Sequence, residues 1–209
     1  MKHVISGVKK FQQDVYPEKK DIFQKLAKGQ SPEVLFVTCA DSRIDPAMIT
    51  QTDPGDLFVC RNAGNVVPPH GAQDGGMIGS IEFGVAALGV SHIVVCGHSD
   101  CGAMKGAINP DALDALPNVK EWLCHCRGAN EAVKARHGKD SLSLDNLDEI
   151  TQENVVQQLQ HLRTHPAVAA KIAAGEIQLH GWVYDIESGD IQCYSDDSGT
   201  FLPLEEAYA

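Results

Sequence analysis

The chain has 209 residues, of which 43% are hydrophobic and 22% charged, a length and balance that suit one folded domain with its own core. Its formal net charge of −11 argues against a nucleic-acid binder, because binding by counterion release needs a basic face. No apolar stretch approaches bilayer length, and the opening Met1-Lys2-His3-Val4 lacks the apolar block of a secretion signal, so no membrane contact and a cytoplasmic location are expected.

The first thirty residues carry apolar positions at helical spacing: Val4, Val8, Phe11 and Val15, then Ile22, Phe23 and Leu26. Pro17 is expected to separate two helices and Gly29 to stop the second. Such a helical arm over residues 1–30 packs either on its own domain or on a second subunit, and pattern alone does not choose. Three short apolar runs follow, at 34–38, 57–60 and 92–96, and each reads as a buried strand. Helical spacing at 79–88 falls between the second and third, which points to a parallel sheet with helical crossovers. Further helices are expected at 117–136, 145–163 and 165–174. Alternation at 177–184 and 191–194, around a turn at 187–190, reads as two more strands. The reading is a single α/β domain over 1–209: a central, mostly parallel β-sheet flanked by helices, plus the N-terminal helical arm.

Seven cysteines stand at 39, 60, 96, 101, 124, 126 and 193, an odd count that makes a poor disulfide framework. Two short segments separate ligands from core thiols: Cys39-Ala40-Asp41-Ser42-Arg43 and His98-Ser99-Asp100-Cys101-Gly102. Each follows the carboxyl end of an expected strand, where open parallel sheets place their ligand sites. Cys39, His98 and Cys101 then form a Cys2His set suited to zinc. Three protein ligands leave a fourth tetrahedral position open, as in catalytic sites, whereas structural sites close with four. Zinc at an open site makes water a nucleophile near neutral pH. Two thiolates donate more charge than imidazoles, so activity is expected to favour alkaline pH. From spacing alone the chemistry stops at zinc-assisted hydration or hydrolysis, with a structural zinc module and incidental cysteines as the competing readings. A thiol redox enzyme using Cys101 lacks a Cys-x-x-Cys partner.

Together with Pro-Gly-Asp-Leu-Phe-Val-Cys-Arg-Asn-Ala-Gly-Asn at 54–65, these segments closely resemble the β-class carbonic anhydrases. The likeness is tightest from Gly29 to Lys105 and continues through His180-Gly181-Trp182-Val183-Tyr184, with plant-type and cyanate-operon bacterial members nearest. It implies a zinc enzyme, one Zn2+ per subunit, that hydrates carbon dioxide to bicarbonate. Carbon disulfide hydrolysis on the same fold is the alternative.

The resemblance further implies an Asp41–Arg43 dyad, in which Arg43 keeps Asp41 ionised and turned from the metal while Asp41 orients the attacking hydroxide. It gives Gln30 a hydrogen bond to substrate oxygen and makes Phe58, Ala63, Val66 and Phe83 an apolar wall around carbon dioxide. The Gly102 N–H becomes a donor to bicarbonate. Gln30 and the wall would reach zinc from a neighbouring subunit, implying a homodimer or an assembly of dimers. Two departures stand out. Phe83 occupies a position where plant-type relatives carry tyrosine. Phe36 occupies the tryptophan position of a bicarbonate-regulated subgroup, whose other anion contacts are matched by Arg61 and Tyr184. An open site without bicarbonate regulation is therefore expected. Cys60 and Cys96 read as core, and Cys124-His125-Cys126 as no metal cluster, since helical positions two apart face apart. Of the histidines 70, 92, 161 and 165, none is singled out as a proton shuttle.

Overall fold

The computed structural model describes residues 1–71, 75–138 and 140–209. Six strands form one sheet in the order β2-β1-β3-β4-β5-β6, with β1 at Val34–Cys39, β2 at Leu57–Asn62, β3 at His92–His98, β4 at Gln178–Tyr184, β5 at Ile191–Ser195 and β6 at Thr200–Pro203. The first four are parallel, and β5 and β6 run antiparallel at one edge. The expected mostly parallel sheet is therefore present, with β6 as an addition.

Side chains of β1 and β3 alternate between two cores. Leu35, Val37, Ile93 and Val95 face one, with Val155, Leu159 and Leu162. Phe36, Val94 and Cys96 face the other, with Met104 and Ile150. Each such aliphatic side chain, fully buried, contributes about 1.5–3 kcal/mol. The chain leaves β1 for β2 on one side and then returns to β3 on the other. That reversal opens a crevice at the carboxyl ends of β1 and β3.

Helix Leu147–Arg163 lies across the sheet. It starts after a capping box at Ser143 and carries Asp148 and Glu149 in its first turn, with His161 and Arg163 in its last, matching the helix dipole at both ends. Two glycines let it sit close. A Cβ on Gly97 would lie 3.0 Å from Val155, and one on Gly181 would lie 2.9 Å from it.

Two sequence expectations need correction. Pro17 does not part the arm. The helix beginning at Lys2 widens into a π turn over Phe11–Val15, where the Tyr16 N–H reaches back to the Phe11 carbonyl, and it runs on through the proline. The break falls at Lys19 (φ −102°, ψ 15°), before helix Lys20–Leu26. A widened turn relieves the clash that proline's ring makes with the preceding turn. The helix expected at 117–136 is likewise divided. Pro117–Trp122 and Arg127–His137 are α-helical, and Leu123–Cys126 between them is a tighter 3-10 turn. Three residues per turn bring Leu123 and Cys126 onto one side, where both are buried.

None of residues 1–26 is buried. Val4, Ile5, Val8, Phe11 and Val15 are exposed along the arm, whose Phe11, Tyr16 and Phe23 rings cluster among themselves. Its foot is tied down by a Lys19–Asp53 ion pair and by Leu26 packing on Gly55. No helix among the described residues is long and apolar enough to cross a membrane.

Candidate metal centre

Cys39 ends β1 and His98 ends β3, the neighbouring strand. Three residues later Cys101 caps the short helix Gly102–Ile108. Asp100, with φ 56°, takes the left-handed turn that swings Cys101 back towards His98. The three donor atoms lie within 4.8 Å of one another, and all three residues are buried. Among the described residues this is the one cluster of its kind.

His98 shows what the cluster is built for. Its Nδ1 lies 2.8 Å from the Ser99 carbonyl, which makes Nδ1 the protonated nitrogen. Its Nε2 is then a bare acceptor, fully buried with no hydrogen-bond partner. An unmet buried acceptor costs about 1–3 kcal/mol, so a nitrogen facing two buried thiols is a position prepared for a cation. Soft sulfur donors with one imidazole select zinc among common divalent ions.

The thiols agree. The Cys101 thiol donates to Cys39 and pulls the Cys39 pKa down to about 4 against the effect of burial, with the Gly64 N–H adding to it. Cys101 is pushed up in turn, first by that same hydrogen bond and then by burial. The two opposite shifts describe one proton shared by two sulfurs, so one of the pair ionises readily while the other donates to it. The other buried thiols lack such a partner. Burial alone pushes Cys193 up to about 11, and burial with the nearby Cys124 pushes Cys126 up to about 12. They are inert core groups, as expected of Cys60 and Cys96, which are also raised mainly by burial. Cys124 is exposed while Cys126 is buried, so the two do not converge on one ion.

Asp41 stands at the mouth of the site, its Oδ2 3.9 Å from His98 Nε2. Arg43 grips both carboxylate oxygens, Nε to Oδ1 at 2.9 Å and Nη2 to Oδ2 at 2.8 Å, and its backbone N–H also donates to Oδ1 at 2.9 Å. These bonds hold the Asp41 carboxyl well below the usual range. Arg43 is itself anchored by Asp100, through Nη1 to Oδ2 at 2.9 Å, and Asp100 pairs with Lys105. No sequence signal marked Asp100 or Lys105, although Asp100 lies inside the second motif.

The remaining expected site residues divide into two groups. Ala63, Val66 and Gly102 lie beside the ligands: Val66 shares a buried cluster with Cys39, and Ala63 precedes Gly64, whose N–H is 3.4 Å from Cys39 Sγ. A Cβ on Gly102 would meet nothing within 4 Å, so its surroundings are open. Phe58 and Phe83 pack on each other, ring centres 6.0 Å apart, with Phe58 against the core on the opposite face of the sheet from Cys39. Phe83 and Gln30 are exposed. The single chain does not bring these three to its own ligands. Arg61, by contrast, is occupied: its guanidinium donates to the carbonyls of Cys39, Asp41 and Ile44 at 3.0, 2.7 and 2.8 Å. Phe36 is buried edge-to-face against Trp182.

Residues 34–191 match the family model described as carbonic anhydrase. The chain is similar to a carbonic anhydrase of Pseudomonas aeruginosa, 48% identical over 206 residues that span 99% of this chain and 93% of that one. Among solved structures it is similar to the beta-carbonic anhydrase CcaA, with TM-score 0.93 and 40% identity over 97% of this chain and 98% of that one. It is also similar to one of two tetrameric beta-carbonic anhydrases from Sordaria macrospora, with TM-score 0.81 and 31% identity over 91% and 94% of the two chains.

Proposed function

This chain belongs to the β-class carbonic anhydrases, and from that premise we propose how its own residues carry the reaction. The reaction is the reversible hydration of carbon dioxide to bicarbonate and a proton, with zinc as cofactor on Cys39, His98 and Cys101. The observation that carries this is the buried, unpartnered Nε2 of His98 facing two buried sulfurs. Zinc held there supplies the Lewis acidity that lets water act as a nucleophile near neutral pH.

Asp41 accepts a hydrogen bond from the attacking oxygen and aims its lone pair at the carbon of carbon dioxide. Arg43 makes this possible in two ways. It keeps the carboxylate ionised, and it fixes both oxygens so that the side chain does not swing inward. Ala63 and Val66 give the substrate an apolar resting place, and the Gly102 N–H donates to a bicarbonate oxygen. The released proton leaves to buffer. Because Asp41 is held by Arg43, Arg61 by backbone carbonyls, and Phe36 supplies no indole, the site is of the open kind without bicarbonate regulation. The plant-type and cyanate-operon subgroup is the proposed placement.

The working unit is a homodimer or an assembly of dimers, with residues 1–30 as the arm between subunits of one 1–209 domain. Support comes from the arm's exposed apolar row and from Gln30 and Phe83, which are exposed and away from this chain's own ligands. Seven free cysteines support a reducing, cytoplasmic compartment. Oxygen-18 loss from labelled carbon dioxide, followed by mass spectrometry, tests the reading. Catalysed exchange that stops when a chelator removes the metal is expected, and exchange at the solvent rate would overturn it.

A further inference from the structure

Helix Leu147–Arg163 buries two amides, Asn154 and Gln158, where apolar side chains would serve packing alone. Burying an amide is unfavourable unless it is hydrogen-bonded, so where these bonds go is informative. Asn154 Nδ2 donates to the Gly64 carbonyl at 3.1 Å. Gln158 Nε2 donates to Asn154 Oδ1 at 2.9 Å and steadies it, and Gln158 Oε1 accepts from the Val67 N–H at 2.8 Å. Both amides therefore act on one turn, residues 64–67, which carries no charged group.

The same turn is held from the other side. Trp122 Nε1 donates to the Ala63 carbonyl at 2.9 Å. That carbonyl and the Gly64 N–H belong to one peptide unit, and the N–H is 3.4 Å from Cys39 Sγ. A peptide bound at its oxygen is fixed in orientation and polarised, so its N–H donates more strongly. Gly64 is suited to this place: its φ is +81°, and a Cβ there would lie 2.9 Å from Met104. The close seating of the helix at Gly97 and Gly181 brings Asn154 within reach of the Gly64 carbonyl.

We infer that Trp122 and Asn154, with Gln158 behind, are positioning residues that clamp Gly64 so that its N–H donates to the Cys39 sulfur. They touch neither substrate nor metal. Their action is to draw electron density from one thiolate and so sharpen the acidity of the metal it binds. This inference rests on the assignment of Cys39 as a zinc ligand.

The test is cobalt substitution of the full-length protein, read by the thiolate-to-cobalt charge-transfer band in the near ultraviolet. Trp122→Phe keeps the ring and loses the donor. Its band is expected to move to longer wavelength, because a sulfur without its hydrogen bond holds its electrons less tightly, and kcat is expected to fall roughly ten-fold in the zinc form. Gln158→Met, one step further back, shifts the band the same way by less and serves where Trp122→Phe does not fold. Val168→Ala, in the buried core but on the separate helix Pro166–Ala173, lowers the melting temperature and leaves the band in place. A folded, cobalt-loaded Trp122→Phe or Gln158→Met with the unaltered protein's band would overturn the inference. Absence of any charge-transfer band in the unaltered protein would instead overturn the ligand assignment beneath it.

Discussion

Arg43 holds Asp41 by both carboxylate oxygens, and Asp100 holds Arg43 in turn. The fork geometry matters because a lysine at the same place offers a point charge and no second bond. Arg43→Lys is therefore expected to lower kcat about a hundred-fold with the protein still folded and zinc-loaded. Kinetics beside a metal assay and circular dichroism check this; an Arg43→Lys enzyme at full rate would remove the dyad from the mechanism.

Thiol accessibility gives a second prediction. Cys124 is exposed and the other six cysteines are buried. In the zinc form, iodoacetamide should label Cys124 quickly and nothing else. After chelation the Cys39–Cys101 pair, one of whose sulfurs ionises readily because the other donates to it, becomes the next site. Peptide mass mapping reads the order. Equal labelling of Cys39 with and without chelator would contradict the ligand role.

How much of this was legible beforehand depended on the range of the interactions. Cys39 and His98 could be read because each closes a run of apolar strand residues, and strand ends are where such sheets converge. Asp100 was hidden because its partners, Arg43 and Lys105, are set by a left-handed turn that no residue pattern announces. Asn154 and Gln158 carried no sequence signal, because an amide within a helical span does not announce whether it faces core or solvent; both are buried by the packing of their helix. The π turn before Pro17 and the 3-10 turn at Leu123–Cys126 are local winding changes that periodicity averages over. Gln30 and Phe83 lie exposed, and Phe58 packs on the face of the sheet away from Cys39, so one chain gives them no place beside its own ligands.

Gly64→Ala tests the tightest backbone position near the ligands. The substitution forces a side chain into left-handed backbone and places its Cβ 2.9 Å from Met104 and 3.1 Å from Ala103. A loss of about 1–3 kcal/mol in denaturant unfolding is expected, with weakened zinc retention. A neutral effect would mean the turn relaxes freely.

Glu149 offers a pH test away from the site. Hydrogen bonds from Arg136, then from His137, hold its carboxyl below the ordinary range. A depressed carboxylate stabilises the fold above its unfolded pKa of about 4.3, and the contribution disappears as pH falls through the folded value. Because Arg136 is half exposed, solvent screening keeps the effect small. Arg136→Gln should cost about 0.5–1 kcal/mol at neutral pH and nothing in strong acid, by urea unfolding at both. An equal cost at both pH values would contradict the ion-pair account.

The arm gives the assembly test. Val8 and Phe11 are 51% and 41% exposed on a helix that buries nothing of its own. Val8→Glu with Phe11→Glu should dissociate the assembly in light scattering and depress activity, since Gln30, Phe58 and Phe83 then reach no neighbouring site. A fully assembled, fully active double variant would place the arm outside the interface.

Three buried side chains, Cys39, His98 and Cys101, hold the zinc on which carbon dioxide hydration depends. Stopped-flow hydration, read by an indicator dye on protein carrying one zinc per subunit with Cys39→Ala beside it, tests it most directly. Hydration far above the buffer rate is expected, rising into alkaline pH, and lost in Cys39→Ala together with the metal. Zinc-loaded protein that hydrates carbon dioxide no faster than buffer would contradict it.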